Sequence, residues 1–289
     1  MKKETLFLII LFLIIFIFAV INLTTMYENY YSIKNQKIEE DNINEPFKNT
    51  SNFKNENKER YIIYYEKNKH LSYEEIVTFV NIGLDKGFYN YITNANLKKE
   101  NLILVNKFNK LSKDFTPTNL EEINNKYFIN GNQNVRKLTK EAKQAFEKLS
   151  QDSIKNNTPV YGQSAYRSYE TQENLYNSAL NNYGKDKADL DTARPGHSEH
   201  QTGLAIDVSS TKEGNMLEFG NTPSYTWMIN NAHKYGFILR YTEKNEKIHG
   251  YIHEPWHFRY VGTEIASDIY NNYSNLTYDE YYYKFIDNK

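Results

Sequence analysis

The sequence predicts an α+β domain in which helices flank a small central antiparallel sheet. Apolar residues recur at helical spacing over residues 139–156 and 226–235, which is typical of amphipathic helices. Between these segments, residues 203–208 alternate between large apolar and small or polar side chains, as a short strand does. Helices that precede and surround a short sheet define the α+β class.

The strand predicted at residues 203–208 separates its side chains by face. Leu204, Ile206 and Val208 alternate with Ala205 and Asp207, and successive side chains of a strand point to opposite faces. Asp207 is therefore expected on the face opposite the large apolar residues. Upstream, a strand is predicted at 160–166, followed by a helix at 169–182.

Two short segments carry side chains that suit a catalytic metal. His200 and Asp207 come from the first, Ser-Glu-His-Gln-Thr-Gly-Leu-Ala-Ile-Asp, and His257 from the second, Glu-Pro-Trp-His. Two imidazoles and one carboxylate form the ligand set of a catalytic Zn²⁺ whose fourth position is left for water. Glu254 is then available as the general base. Pro255 disfavours helix at Glu254, so a turn is expected there.

These motifs resemble the VanY-type D-alanyl-D-alanine carboxypeptidases of the M15 zinc peptidases. The resemblance rests on residues 198–207, on 251–262 and on Tyr-Arg-Ser-Tyr-Glu-Thr-Gln at 166–172, and it covers roughly residues 100–270. It implies one Zn²⁺ per chain and agrees with the predicted sheet and helices. The site residues that it implies are zinc ligands His200, Asp207 and His257, the catalytic base Glu254, and the substrate-binding residues Arg167, Gln172, Ser198 and Tyr241.

Arg167 suits the recognition of a free carboxylate, because a guanidinium offers a bidentate fork that lysine lacks. The leading hypothesis is a membrane-anchored D,D-carboxypeptidase that removes the terminal D-alanine from peptidoglycan stem peptides. The alternatives are an L,D-carboxypeptidase acting on tetrapeptide stems, a D-Ala-D-Ala dipeptidase, and a non-catalytic zinc-containing module that binds the cell wall. Wall maturation and glycopeptide resistance use the same reaction, so the sequence does not separate them.

The N-terminus predicts a membrane anchor. Lys2 and Lys3 precede an apolar run over residues 6–21, and eighteen helical residues span about 27 Å, close to the thickness of a bilayer core. The positive end predicts a cytoplasmic N-terminus and an extracytoplasmic catalytic domain, in a Gram-positive-type envelope. A cleaved signal peptide is the alternative.

The remaining organisation follows from composition. Residues 24–58 are rich in Asn, Lys and Glu, which predicts a flexible tether. An N-terminal elaboration is expected over 59–101, the catalytic domain over 102–272 and a short docking tail over 273–289. The chain has no cysteine, which excludes disulfides and thiolate ligands. Its net charge of −1 gives no electrostatic argument for nucleic-acid binding.

Overall fold

A computed structural model describes residues 3–131 and 135–287 and divides the chain into two compact units. The first unit ends at Val77 and the second begins at Thr78. The functional motifs all fall in the second unit.

The first unit is helical. It contains α1 (Lys3–Lys48) and α2 (Lys58–Lys67), and α3 (Tyr73–Ile82) begins in it. The N-terminus of α3 is stabilised by a capping box, because the Glu75 amide donates to Ser72 Oγ and the Ser72 amide donates to Glu75 Oε2.

Two predictions for the N-terminal region differ from the structure. Residues 24–48, expected to be a flexible tether, continue α1 as helix; Lys, Glu and Gln favour helix, so a polar composition alone does not end one. Within the described residues, no helix is long and apolar enough to cross a membrane. The transmembrane prediction is therefore not supported by the structure, and Met1 and Lys2 lie outside the described residues.

A four-stranded antiparallel sheet forms the centre of the second unit. Its strands are β5 (Tyr161–Ser164), β6 (Ala205–Ser209), β7 (Phe237–Leu239) and β8 (His257–Tyr260), in the order β5-β6-β8-β7. Shorter strands pair before it in the chain: β1 (Thr93–Asn94) with β2 (Asn109–Lys110), and β3 (Leu120–Glu122) with β4 (Lys137–Thr139). The predicted small antiparallel sheet is confirmed.

One face of the sheet is packed against helices. The side chains of Ile206, Val208 and Phe258 are fully buried there, and α4 (Lys140–Lys155) contributes Ala142, Phe146 and Leu149 to the same core. The observed helix agrees with the prediction for 139–156, with Thr139 as its N-cap residue.

The unit contains further helices, of which Tyr169–Tyr183 agrees with the helix predicted at 169–182, while several others were not predicted. The further helices are α5 (Tyr169–Tyr183), α6 (Lys185–Asp191), α7 (Pro223–Asn231), α8 (Glu246–His249), α9 (Thr263–Asn272) and α10 (Tyr278–Tyr281). The helix predicted at 226–235 is α7 followed by a 3₁₀ turn, which ends at Gly236 with a φ of 85°.

The C-terminal segment belongs to the second unit. Tyr278, Tyr281, Tyr282 and Ile286 are buried with Ile238 and Val261 in a second core cluster. The predicted docking tail thus contains a short helix, Tyr278–Tyr281, and packs within the second unit; the boundary at residue 272 stays a prediction.

Candidate metal centre and substrate pocket

The central sheet brings the predicted metal ligands together. Asp207 on β6 lies directly opposite His257 on β8, so the two side chains share the face that points away from the apolar core. His200 precedes β6 in a 3₁₀ turn over Glu199–Thr202. That turn ends at Gly203, whose φ is 67° and where a Cβ atom would lie 2.7 Å from Leu120 Cδ2. Glycine is therefore required for the chain to turn from His200 into the strand.

The ligand atoms of His200, Asp207 and His257 lie within 4.8 Å of one another, and all three residues are buried. His200 Nδ1 donates to the Ala165 carbonyl at 2.6 Å, which leaves the Nε2 lone pair facing Asp207 Oδ2 at 3.3 Å. Within the described part of the chain, this Nε2 atom has no hydrogen-bond partner. A buried nitrogen without a partner beside a carboxylate and a second imidazole fits a zinc ion.

The charges of the cluster support the same interpretation. Burial, followed by the nearby Arg167, lowers the pKa of His200 to about 4, so this imidazole is neutral and able to bind a metal. Burial by itself would raise the pKa of Asp207, but His200, His257 and Arg167 hold it well below its ordinary value. The carboxylate is therefore ionised, as a ligand must be.

Glu254 lies at the edge of the cluster, in the turn before β8. Its Oε2 atom is 3.6 Å from His257 Nδ1, and the His257 amide donates to the Glu254 carbonyl across Pro255. The turn is therefore non-helical, as the proline predicts. Burial raises the pKa of Glu254 to about 7, which is close to the value that suits a general base at neutral pH.

Arg167 lies beside the cluster and is held by three side chains. It donates to Ser164 Oγ at 3.1 Å, to Gln172 Oε1 at 3.0 Å and to Asp207 Oδ2 at 2.8 Å. Gln172 is itself fixed by donating to the Ala193 carbonyl. The guanidinium is thus held in one position, although it follows β5 by three residues instead of ending the strand.

One pocket of about 440 Å³ contains all of these groups. The predicted residues that line it are Arg167, Gln172, Ser198, His200, Asp207, Tyr241, Glu254 and His257. The ring of Tyr241 is buried against the His257 ring, with centroids 4.9 Å apart. The structure therefore brings every predicted site residue to one place, while the individual roles remain predictions.

The pocket also contains residues that the sequence did not indicate. Glu199 adjoins the metal cluster and is 1% exposed; its position beside His200 in the motif was the available signal. Leu175 on α5 is 44% exposed and lines the pocket, which the helical pattern alone does not indicate.

Comparisons with known proteins agree with this geometry. The family described as "VanY: D-alanyl-D-alanine carboxypeptidase" matches residues 135–263. The Putative carboxypeptidase YodJ of Bacillus subtilis (strain 168) is 38% identical over 185 residues, which are 63% of this chain and 67% of YodJ.

Two solved structures resemble this chain in fold as well as in sequence. The LdcB LD-carboxypeptidase aligns with a TM-score of 0.61 and 36% identity over 67% of this chain and 90% of its own. The vancomycin resistance D,D-pentapeptidase VanY, solved as a mutant in complex with Zn(II), aligns with a TM-score of 0.53 and 29% identity. That alignment covers 63% of this chain and 98% of the VanY chain.

The fold and the pocket therefore define a zinc-dependent peptidase of the carboxypeptidase class. Within this class, the chain belongs to the VanY family of D-alanyl-D-alanine carboxypeptidases. The predicted family, enzyme class and zinc cofactor are confirmed.

Proposed function

We propose that this protein is a D,D-carboxypeptidase that removes the terminal D-alanine from peptidoglycan stem peptides. The observation that carries the proposal is the position of Arg167 and Glu254 on the His-Asp-His cluster, within one pocket. A carboxypeptidase needs a cation for the substrate's free carboxylate and a base for the attacking water, and both must lie within reach of the scissile bond.

The proposed mechanism assigns one role to each side chain. His200, Asp207 and His257 would hold Zn²⁺, which when bound polarises the scissile carbonyl and makes the attacking water more acidic. Arg167 binds the terminal carboxylate of the substrate through its guanidinium fork. Glu254 accepts a proton from the attacking water and donates it to the amine of the leaving D-alanine.

Two further side chains complete the pocket in this proposal. Gln172 holds the Arg167 guanidinium through its Oε1 atom, so the terminal carboxylate meets a cation in a fixed position. Ser198 is 6% exposed and lines the same cavity, where its hydroxyl can donate to the substrate. Ser198 acts here as a hydrogen-bonding group, because the attacking group is water.

An L,D-carboxypeptidase is the second candidate, and a specific observation favours it. The alignment with the LD-carboxypeptidase LdcB has a higher identity and a higher TM-score than the alignment with the D,D-pentapeptidase VanY. Both reactions end in the release of one D-alanine, so the same cation, base and metal serve either of them. The two functions differ in the residue that precedes the scissile bond.

Mass spectrometry of defined stem peptides tests the two functions together. The full chain is incubated with pentapeptide and tetrapeptide stems, with zinc or with a chelator. Loss of one alanine from the pentapeptide alone, blocked by the chelator, is the expected result. Cleavage of the tetrapeptide alone would replace the D,D assignment by the L,D assignment. Cleavage of neither by a folded, zinc-loaded protein would favour a wall-binding module and contradict the enzyme proposal.

We further propose that the catalytic unit works outside the cytoplasm, where peptidoglycan stems are trimmed. The support is the sequence of the N-terminus, with two lysines before the apolar run at 6–21. Cells whose wall has been removed but whose membrane is intact are treated with protease, which should degrade the catalytic unit. Fractionation of the cells shows whether the chain stays with the membrane. Full protection of the catalytic unit from the protease in cells with an intact membrane would contradict the proposed location.

A further inference from the structure

Glu199 is a buried carboxylate that the proposed mechanism does not use. Its Oε2 atom lies 3.3 Å from Nε2 of His257, while Nδ1 of the same ring lies 3.1 Å from Asp207 Oδ1. The two nitrogens of His257 therefore face two different carboxylates. Of the two nitrogens, it is Nδ1 that faces the metal cluster, through its contact with Asp207.

Two arginines hold the second oxygen of Glu199. Arg240 Nε donates to Oε1 at 2.8 Å, and Arg259 Nη1 donates to it at 2.9 Å. The side chains of all three residues are completely buried. Because Oε1 is occupied by the arginines, Oε2 is directed at His257.

The arginines are themselves fixed from outside the motif. Arg259 Nη2 donates to the carbonyls of Asn101 and Ile103, at 3.0 and 2.7 Å. Arg240 Nη1 lies 2.7 Å from Asp279 Oδ2, in the C-terminal segment. A chain of alternating charges thus runs from Asp279 through Arg240 to Glu199 and ends at His257.

We propose that Glu199 is a positioning residue for the metal centre, and that Asp279 of the C-terminal segment supports it through Arg240. Glu199 accepts the Nε2–H of His257, which fixes the tautomer whose Nδ1 lone pair faces His200 and Asp207. Partners of this kind orient a histidine ligand and increase its basicity. The inference rests on zinc binding at this cluster, which is part of the proposed function.

The alternative is that Glu199 only neutralises two buried arginines. Such a role would affect folding, because an unpaired buried charge is costly. It would leave the affinity of the folded protein for zinc unchanged. The test therefore measures zinc affinity and metal-site geometry, and it needs no substrate.

The experiment compares three variants of the full chain. Glu199→Gln keeps the size of the side chain and removes its charge, and it should weaken zinc binding by about 10–100-fold in a chelator competition. It should also change the visible absorption spectrum of the Co²⁺-substituted protein. Asp279→Asn should give a smaller loss in the same direction, because Arg240 keeps its contact with Glu199.

Glu280→Gln is the matched control. Glu280 is also a buried carboxylate, next to Asp279 in the chain, but its hydrogen bonds cap the helix at Thr277, and glutamine can replace glutamate in a capping box. This variant should keep the zinc affinity of the wild type. A folded Glu199→Gln protein with wild-type zinc affinity and Co²⁺ spectrum would overturn the proposal.

A measurement on the wild type covers the case in which Glu199→Gln fails to fold. Nitrogen-15 NMR of the zinc-loaded protein should show the metal on Nδ1 of His257 and a proton on Nε2. Metal on Nε2 would overturn the proposal. Because neither measurement depends on hydrolysis, a zinc-binding protein that cleaves no stem peptide would contradict the proposed function and leave this inference standing.

Discussion

The two faces of the central sheet use the same strands for different purposes. Ile206 and Phe258 are paired across β6 and β8 and are fully buried among apolar side chains. Asp207 and His257, paired one position along, face the pocket and hold the metal-binding atoms. Volume decides which residues the apolar face accepts, whereas the polar face depends on the positions of individual atoms. Substitutions on the two faces should therefore change different measured quantities.

The largest effect is expected on the polar face, at Glu254. Glu254→Ala removes the proposed base and should lower turnover by about 10²–10⁴-fold, the usual contribution of a positioned base. Zinc affinity should remain, because the ligand atoms of His200, Asp207 and His257 are untouched. Stem-peptide hydrolysis and chelator competition on the same purified protein measure the two quantities.

His200→Ala is the comparison for that experiment, since it removes a ligand and should abolish both zinc binding and turnover. Hydrolysis that persists in Glu254→Ala at the wild-type rate would remove Glu254 as the base. Loss of zinc from Glu254→Ala would instead make Glu254 part of the metal site.

On the apolar face, Ile206→Ala should lower the free energy of unfolding by about 2–5 kcal/mol, because it leaves a cavity in a packed core. The folded fraction should bind zinc with unchanged affinity, since the side chain points away from the ligands. Urea unfolding at fixed zinc concentration measures the first quantity. Ile206→Val, expected to cost about 0.5–1.5 kcal/mol, is the matched control. A change in zinc affinity without a change in stability would contradict the separation of the faces.

The sequence predicted the apolar face and the ligands because both depend on local patterns. Alternation over 203–208 places Asp207 on the strand face opposite the large apolar residues. The spacing of His200, Gly203 and Asp207 falls within one short segment. The turn at Glu254 follows from the restrictions that Pro255 imposes. Each of these features needs only neighbouring residues.

The charged residues that contact Nε2 of His257, directly or through one another, could not be predicted as a group in this way. Glu199 adjoins His200 in the motif, but Arg240 and Asp279 lie far from it in sequence, and each of these two has an ordinary surface interpretation when taken alone. Their contact depends on how the C-terminal segment packs on the sheet, which no short pattern encodes.

His197 is a buried residue that precedes Ser198 but does not line the pocket, so we expect it to contribute to stability and not to catalysis. Its Nδ1 lies 2.8 Å from the Asn106 carbonyl, and burial, together with Lys110, Arg194 and Lys107, lowers its pKa to about 4. The unfolded chain, with an ordinary pKa of 6.5, binds the proton more readily than the folded chain does. The stabilisation is thus complete above pH 6.5 and is lost progressively as the pH falls from 6.5 to 4.

His197→Asn should therefore flatten the pH dependence of stability. Asparagine can still donate to the carbonyl but does not titrate, so the wild type should lose up to about 3 kcal/mol more than the variant between pH 6.5 and pH 4. Urea unfolding across this range, with chelator in both samples, measures the difference. Parallel curves for the two proteins would mean that His197 does not titrate differently in the folded state.

The smallest effect is expected from Arg167→Lys, which keeps the charge and removes the fork. A hydrogen bond to a charged group contributes about 1.5–3 kcal/mol, so kcat/KM should fall by about 10–100-fold on stems with a free terminal carboxylate. On stems whose C-terminus is amidated, wild type and variant should react at similar low rates, because the amide offers no negative charge. An equal loss on both substrates would indicate that Arg167 acts through Asp207, which it contacts at 2.8 Å, and that the carboxylate is recognised elsewhere. The two substrates thus separate an arginine that binds the substrate from one that only supports the metal ligand.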